Sequence, residues 1–183
     1  MPPPPAVHDA LLRRVHWTVA TLIVVGFALG LAQDAFPRAM RDGVLRIHEW
    51  LGLLVLLLLA LRLARRAQVG VPPEIAMPRW QRMAARASHV GLYVLMAAMP
   101  LAGLVDSWVR GRTVSLFGIV ALPSLVGADR GLVRTVNRVH ELLAWALIAL
   151  AAVHAAAALY HHHVLRDDVL VRMLPRLRRP RAR

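Results

Sequence analysis

Four long apolar runs dominate the sequence, and polar or charged residues lie at their ends and between them. The runs cover residues 15–32, 47–64, 87–105 and 139–165. A run of about 20 mostly apolar residues can cross a bilayer as a helix, in which the backbone N–H and C=O groups are hydrogen-bonded. The pattern therefore predicts an all-α integral membrane protein built as a four-helix bundle.

Two stretches of this pattern allow a second interpretation. Residues 114–126 are apolar, but the stretch is short and contains a glycine and a proline, so we expect it to lie at the membrane interface. The first long run follows two arginines and ends in Gly30-Leu31-Ala32, which is also compatible with a cleavable signal peptide. Its length exceeds that of a usual signal-peptide core and favours a transmembrane helix.

Charge predicts the orientation of the bundle. All 23 basic residues are arginine, of which 15 lie in the two tails and the loop between runs two and three, and 8 lie in the other two loops. Positive residues are enriched on the cytoplasmic side of membrane proteins, so both termini are predicted to be cytoplasmic. Because the arginines flank apolar runs, the net charge of +13 indicates contact with a lipid bilayer and not with nucleic acid.

Composition agrees with this interpretation and limits the chemistry. Hydrophobic residues make up 58% of the chain, against roughly 45–50% in soluble domains. We expect a Pro-rich cytoplasmic tail at 1–12, a membrane domain at 13–175 and a basic cytoplasmic tail at 176–183 that suits anionic lipid. Cysteine is absent, which excludes iron–sulfur clusters and covalently attached haem.

The placement of the nine histidines is the main chemical signal. His8 lies in the Pro-rich tail, where we expect it to be solvated, and the others lie near the ends of the apolar runs. His140 and His154 are 14 residues apart on run four, which places them about 40° apart around the helix and about 21 Å apart along it. One helix face thus presents two imidazoles at different depths, a spacing that suits two cofactors stacked across the bilayer.

Depth then predicts how the histidines pair. His48 and His140 each begin a run from the outer side, whereas His16 and His154 lie near the cytoplasmic side. Two imidazoles on facing helices can ligate a haem iron from both sides, so two haem b groups are predicted. His89 begins run three at the depth of His16, and spacing alone leaves it as an alternative partner of His154.

Further residues share these faces. Gly30 and Gly52 would let a flat macrocycle approach the backbone, or they serve ordinary helix packing. Arg62 follows His48 by 14 residues and is a candidate contact of a haem propionate or a substrate. His161 follows His154 by seven residues and could donate a proton to a reduced quinone, although the run 161–163 is also compatible with solvated interfacial histidines.

Several short stretches together carry a resemblance to a known family. They are Arg14-Val15-His16-Trp17, Ile47-His48 with Gly52, Arg62-Leu63, Ser88-His89-Val90-Gly91-Leu92-Tyr93, Pro100-Leu101-Ala102-Gly103, and a stretch from Val139-His140-Glu141 through His154 and His161-His162 to Asp168-Val169-Leu170-Val171-Arg172-Met173. The chain resembles the bacterial cytochrome b561 family, which includes the superoxide oxidases, over about residues 10–175.

The resemblance implies a bundle in the bacterial inner membrane that binds two non-covalent b-type haems. It implies His48 with His140 as one ligand pair and His16 with His154 as the other, and so favours His16 over His89. It leaves His89, like Arg62, as a possible contact of a haem propionate or quinone.

For the superoxide oxidases the resemblance implies oxidation of superoxide to oxygen at the outer haem. The electron then reaches the inner haem and reduces ubiquinone at a site that includes the position of His161. An excess of arginine in the third loop either favours an anionic substrate or reflects an arginine-rich composition that affects every loop. The charged residues there are Arg110, Arg112, Arg130, Arg134 and Arg138 against Asp106 and Asp129.

Two other functions stay open at this point. The first is a cytochrome b subunit that passes electrons from a periplasmic dehydrogenase or hydrogenase to quinone. The second is a haem-free, histidine-lined metal or proton permease.

Overall fold

A computed structural model describes residues 7–70 and 72–177. The described chain forms four long helices: α1 (Ala10–Ala32), α2 (Arg38–Val69), α3 (Arg79–Val109) and α4 (Val133–Tyr160). Each is long and apolar enough to cross a membrane. This confirms the predicted fold class. All four helices begin before their apolar runs, and α2 and α3 also end beyond theirs, because the charged residues that flank the runs remain helical. Helix α4 ends at Tyr160, before the end of its run.

The helix ends follow local sequence signals. The side chain of Asp9 caps α1 by accepting hydrogen bonds from the backbone N–H groups of Leu11 and Leu12. Pro37 and Pro78 directly precede α2 and α3, where a residue without an N–H group breaks no intrahelical hydrogen bond. Gly70 ends α2 with a φ of 69°, a conformation that glycine adopts without strain.

Helices α1 and α2 form one packed pair, and α3 and α4 form another. Contacts between α2 and α3 connect the two pairs. The hydrophobic core between them consists of Val15, Val19, Ile23, Val55, Leu59, Met96 and Leu147. Large apolar side chains on the outer surface, such as Val24 and Val153, are exposed. That distribution is expected when lipid, and not water, surrounds the bundle.

The first and last described segments lie together at one end of the bundle, which we call the terminal side. There the indole N–H of Trp17 donates to the Met173 carbonyl at 3.3 Å, and the His8 N–H donates to the Arg172 carbonyl at 3.2 Å. His8 is therefore half-buried against the C-terminal segment, and its predicted solvation is wrong. Residues 1–6 of the predicted N-terminal tail and 178–183 of the predicted basic tail lie outside the described residues.

The opposite end, the hairpin side, carries a small β-hairpin between α3 and α4. Strands β1 (Ser115–Leu116) and β2 (Val120–Ala121) pair in antiparallel fashion within the apolar stretch that was predicted to be interfacial. Trp50 of α2 donates its indole N–H to the Ser115 carbonyl at 3.1 Å. The hairpin is an addition to the all-helical expectation, because strands of two residues are too short to produce an alternating sequence pattern.

Candidate functional site

On the hairpin side, two histidines from facing helices meet inside the bundle. His48 of α2 and His140 of α4 have ring centroids 6.0 Å apart, with the rings at 77° to each other. Both side chains are half-buried. The structure thus brings together the pair that was predicted from depth alone.

A backbone carbonyl of a neighbouring helix, α1 or α3, accepts a hydrogen bond from each of these imidazoles. His48 Nδ1 lies 2.9 Å from the Gly26 carbonyl oxygen of α1, and His140 Nδ1 lies 3.0 Å from the Met99 carbonyl oxygen of α3. A carbonyl can only accept, so each Nδ1 carries the proton and each Nε2 keeps a free lone pair. Metal-binding histidines usually show this arrangement, in which the second nitrogen fixes the tautomer and orientation.

A glycine makes room for each imidazole. A Cβ atom on Gly30 would lie 3.3 Å from His48 Cε1, and a Cβ atom on Gly103 would lie 3.0 Å from His140 Cε1. Each glycine follows its carbonyl-bearing residue by four positions, so carbonyl and glycine form one notch on the helix surface. Gly30 thus accommodates the His48 imidazole, whereas a Cβ atom on Gly52 would lie 3.6 Å from Pro100 Cβ and not near either imidazole.

Between the four helices lies a cavity of about 390 Å³ that includes both imidazoles. Most of its lining residues are aliphatic or aromatic, together with Gly26, Gly30, Gly52 and Gly103. The lining also includes polar and acidic residues, namely Gln33, Asp34, Glu49, Asp106, Ser107, Asn137 and Glu141. Size and lining are typical of a cofactor site. Two free Nε2 lone pairs, glycine notches and apolar walls fit a flat, apolar macrocycle whose metal needs an axial ligand on each face.

On the terminal side, three histidines form a second group. The His154 ring centroid lies 6.3 Å from that of His16 and 5.3 Å from that of His89. The structure therefore places His154 within reach of both partners that spacing allowed. No cluster of three or more histidine or carboxylate side chains suited to a bare metal ion occurs in the described part of the chain, whereas a haem iron needs only two protein ligands.

Arg62 lies next to this group. Its Nε donates to the Tyr93 hydroxyl at 3.4 Å, and its charge is within electrostatic reach of His16, His89 and His154. Burial, with the nearby Arg62 charge as the second cause, lowers the pKa of His8 to about 4. The terminal side is therefore a positively charged environment in which a bound anionic group would be stabilised.

His161 lies at the start of a π-helical turn, His161–Leu165, that directly follows α4. Its Nδ1 is 2.6 Å from Asp167 Oδ2. Sequence reasoning missed Asp167, because the turn that returns it to His161 has no signature in the sequence. It also missed Gly103 and the Met99 carbonyl, although a glycine one helical turn beyond Met99 could have suggested a close approach.

Comparison with known proteins decides the family. The profile of the family described as prokaryotic cytochrome b561 matches residues 7–176. The chain belongs to this family. Its members are b-type haem proteins with an electron-transfer or oxidoreductase role. Together with the four helices that are long and apolar enough to cross a membrane, family membership makes the chain a multi-pass protein of the bacterial inner membrane.

Curated relatives span nearly the same length. The chain is 30% identical over 174 residues to a Yersinia pestis protein named "Probable superoxide oxidase CybB", covering 93% of this chain and 97% of the relative. It is 30% identical over 177 residues to "Cytochrome b561 homolog 2" of Escherichia coli, covering 93% and 92%. It is also 30% identical over 166 residues to "Cytochrome b562" of Cereibacter sphaeroides, covering 87% and 90%.

Proposed function

We propose that the protein is a di-haem cytochrome b that oxidises superoxide and reduces ubiquinone. In the balanced reaction, two superoxide anions lose one electron each and become O₂, while one ubiquinone takes up two electrons and two protons to become ubiquinol. The observation that carries the proposal is the presence of paired imidazoles at both ends of one bundle.

His48 and His140 would hold one haem b through their imidazoles, and His16 and His154 would hold the second. Each haem, when bound, supplies a one-electron carrier. Because the chain has no cysteine, coordination and packing alone would retain both groups. The carbonyls of Gly26 and Met99 keep the first pair in the tautomer that exposes Nε2.

The hairpin side suits the approach of a small anion. Arg110 is paired with Asp106, and Arg138 is paired with Glu141, which reduces the positive excess expected from sequence. Among the described residues Arg112, Arg130 and Arg134 take part in no ion pair. Unpaired cations on the surface of this side would raise the encounter rate of an anionic substrate. The smaller number of arginines in the loops of this side supports its assignment to the periplasm.

The terminal side, proposed to face the cytoplasm, suits reduction of ubiquinone. A quinone that gains electrons becomes basic, and it needs both a positive environment and a proton donor. Arg62 supplies charge beside the His154 group. His161 is the proposed proton donor, and its side chain is 14% exposed.

The test uses the full chain purified in detergent. We expect two haem b per chain and a reduced-minus-oxidised spectrum that loses one component in His154→Ala. In stopped-flow mixing with superoxide and a short-chain ubiquinone, two superoxide should disappear for each ubiquinol formed. Well-folded protein without haem would refute the proposal, as would a haem-loaded protein that superoxide cannot reduce.

A second candidate function is a cytochrome b subunit of a periplasmic dehydrogenase. The observation that favours it is the apolar hairpin region, in which Ile119 is 84% exposed and Leu125 is 79% exposed. Reduction of the haems only by a copurifying dehydrogenase, and not by superoxide, would support this function.

A further inference from the structure

Asp167 is bonded directly to the proposed proton donor. Its Oδ2 lies 2.6 Å from His161 Nδ1, within the distance range of charge-assisted hydrogen bonds. The two side chains are only 14% and 23% exposed, so water competes weakly for the contact. The pair lies on the terminal side, just beyond α4.

The backbone is bent to make this contact. After the π-helical turn His161–Leu165, Arg166 adopts a left-handed conformation with a φ of 56°, and its N–H bonds to the His161 carbonyl. The Asp167 N–H also donates to the His161 carbonyl, at 3.2 Å. A left-handed arginine is a strained conformation, and π-helical turns occur often at functional sites. Here the strained backbone brings the Asp167 carboxylate into contact with His161.

We infer that Asp167 is a positioning residue that fixes the tautomer of His161 and leaves its Nε2 to transfer the proton. The inference rests on the function proposed above. A carboxylate can only accept a hydrogen bond, so the proton on Nδ1 stays between His161 and Asp167. Nε2 is then the nitrogen that exchanges a proton with a bound molecule.

His161 would pass a proton from the cytoplasmic side to the quinone. As electrons from superoxide reduce the quinone, the Nε2–H bond of the His161 imidazolium breaks and an O–H bond of the quinol forms. The neutral imidazole that remains keeps its Nδ1–H, which donates to the Asp167 carboxylate. A proton from the cytoplasmic solution returns to Nε2, and a second transfer of the same kind supplies the second proton of the quinol. The Asp167 carboxylate stabilises the imidazolium before transfer and prevents the ring from turning after it.

Asp167 has one structural role that the test must preserve. Its Oδ1 accepts a hydrogen bond from the Val169 N–H at 3.0 Å and so supports the turn. In Asp167→Asn the amide oxygen can keep this bond. The amide NH₂ group then faces His161 Nδ1, which must become an acceptor, and the imidazole proton moves to Nε2.

The experiment compares Asp167→Asn with Asp168→Asn, a control that removes the same charge from the exposed neighbouring residue. ¹⁵N NMR of histidine-labelled protein, with His161 assigned by its loss in His161→Gln, reports the tautomer without any turnover. We expect a change from the Nδ1–H to the Nε2–H form only in Asp167→Asn. We also expect its kcat for ubiquinone reduction to fall by about tenfold or more, with KM within about twofold and haem content unchanged.

Asp167→Glu provides a rescue, because it restores the carboxylate; partial recovery of kcat and of the Nδ1–H form is expected. If the wild type reduces ubiquinone and Asp167→Asn keeps both its kcat and its tautomer, this inference is overturned and the proposed function stands. If the wild type reduces no ubiquinone, the proposed function fails, and this inference fails with it.

Discussion

Replacing Gly103 by alanine should weaken the haem site on the hairpin side. The new Cβ atom would lie 3.0 Å from His140 Cε1 and 3.3 Å from His140 Nδ1, whereas comfortable carbon–carbon contacts are about 3.5–4.0 Å. The imidazole must therefore move by roughly 0.5 Å or more. Such a shift would strain or break the 3.0 Å hydrogen bond to the Met99 carbonyl.

The size of the effect follows from this hydrogen bond. Leaving a buried polar group without its partner costs about 1–3 kcal/mol, which corresponds to roughly 5- to 150-fold weaker haem binding. Gly30→Ala should show a smaller effect on the same component of the spectrum, because its Cβ would lie 3.3 Å from His48 Cε1. Gly43→Ala is the matched control, since a Cβ there meets no atom within 4 Å.

The assay is the haem-to-protein ratio of the purified variants, together with a potentiometric titration that resolves the two haem components. Gly103→Ala should lose haem from one component or shift its midpoint potential, and Gly43→Ala should match the wild type. Size-exclusion profiles would verify that the variants remain folded. Full retention of two haems with wild-type potentials in Gly103→Ala would refute the assignment of His140 as a tightly held ligand.

Three further predictions concern other parts of the molecule. His16→Ala should abolish one haem component whereas His89→Ala should retain both, and the opposite result in haem-quantified spectra would make His89 the ligand. Because the pKa of His8 is lowered to about 4 from 6.5, the unfolded chain binds this proton first as pH falls. The free energy of unfolding of the wild type should therefore decrease between about pH 6.5 and 4 by about 1 kcal/mol relative to His8→Gln, after allowance for solvent screening. Thermal unfolding across this pH range measures the difference, and the same pH dependence in both proteins would contradict the burial of His8. Arg134→Glu should slow haem reduction by superoxide about twofold or more at low ionic strength, and the difference should shrink with added salt in stopped-flow traces; an effect independent of salt would argue against electrostatic attraction.

Much of the fold could be predicted from sequence because each transmembrane segment is defined by its own composition. The apolar runs specified four helices, and the spacing of histidines along run four specified two depths. The pair His48 and His140 followed from counting residues, since depth in a membrane is nearly proportional to position along a helix. The same counting could not separate His16 from His89, which lie at one depth on different helices.

The remaining features depend on contacts between segments that are distant in the chain. The notch formed by Met99 and Gly103 has meaning only when His140, on another helix, fills it. His8 was expected to be solvated because it lies in a Pro-rich tail, yet the C-terminal segment contacts it. Asp167 reaches His161 through a left-handed residue, Arg166, whose conformation its side chain does not reveal.

The carbonyl contacts of the two hairpin-side ligands also bear on how the protein is assembled. His48 of α2 is held by Gly26 of α1, and His140 of α4 is held by Met99 of α3. Each pair of consecutive helices therefore carries one half-site, already oriented by its own partner helix. Membrane insertion can then complete the two halves one after the other as they are synthesised, and a single macrocycle would fasten them together by bridging α2 and α4.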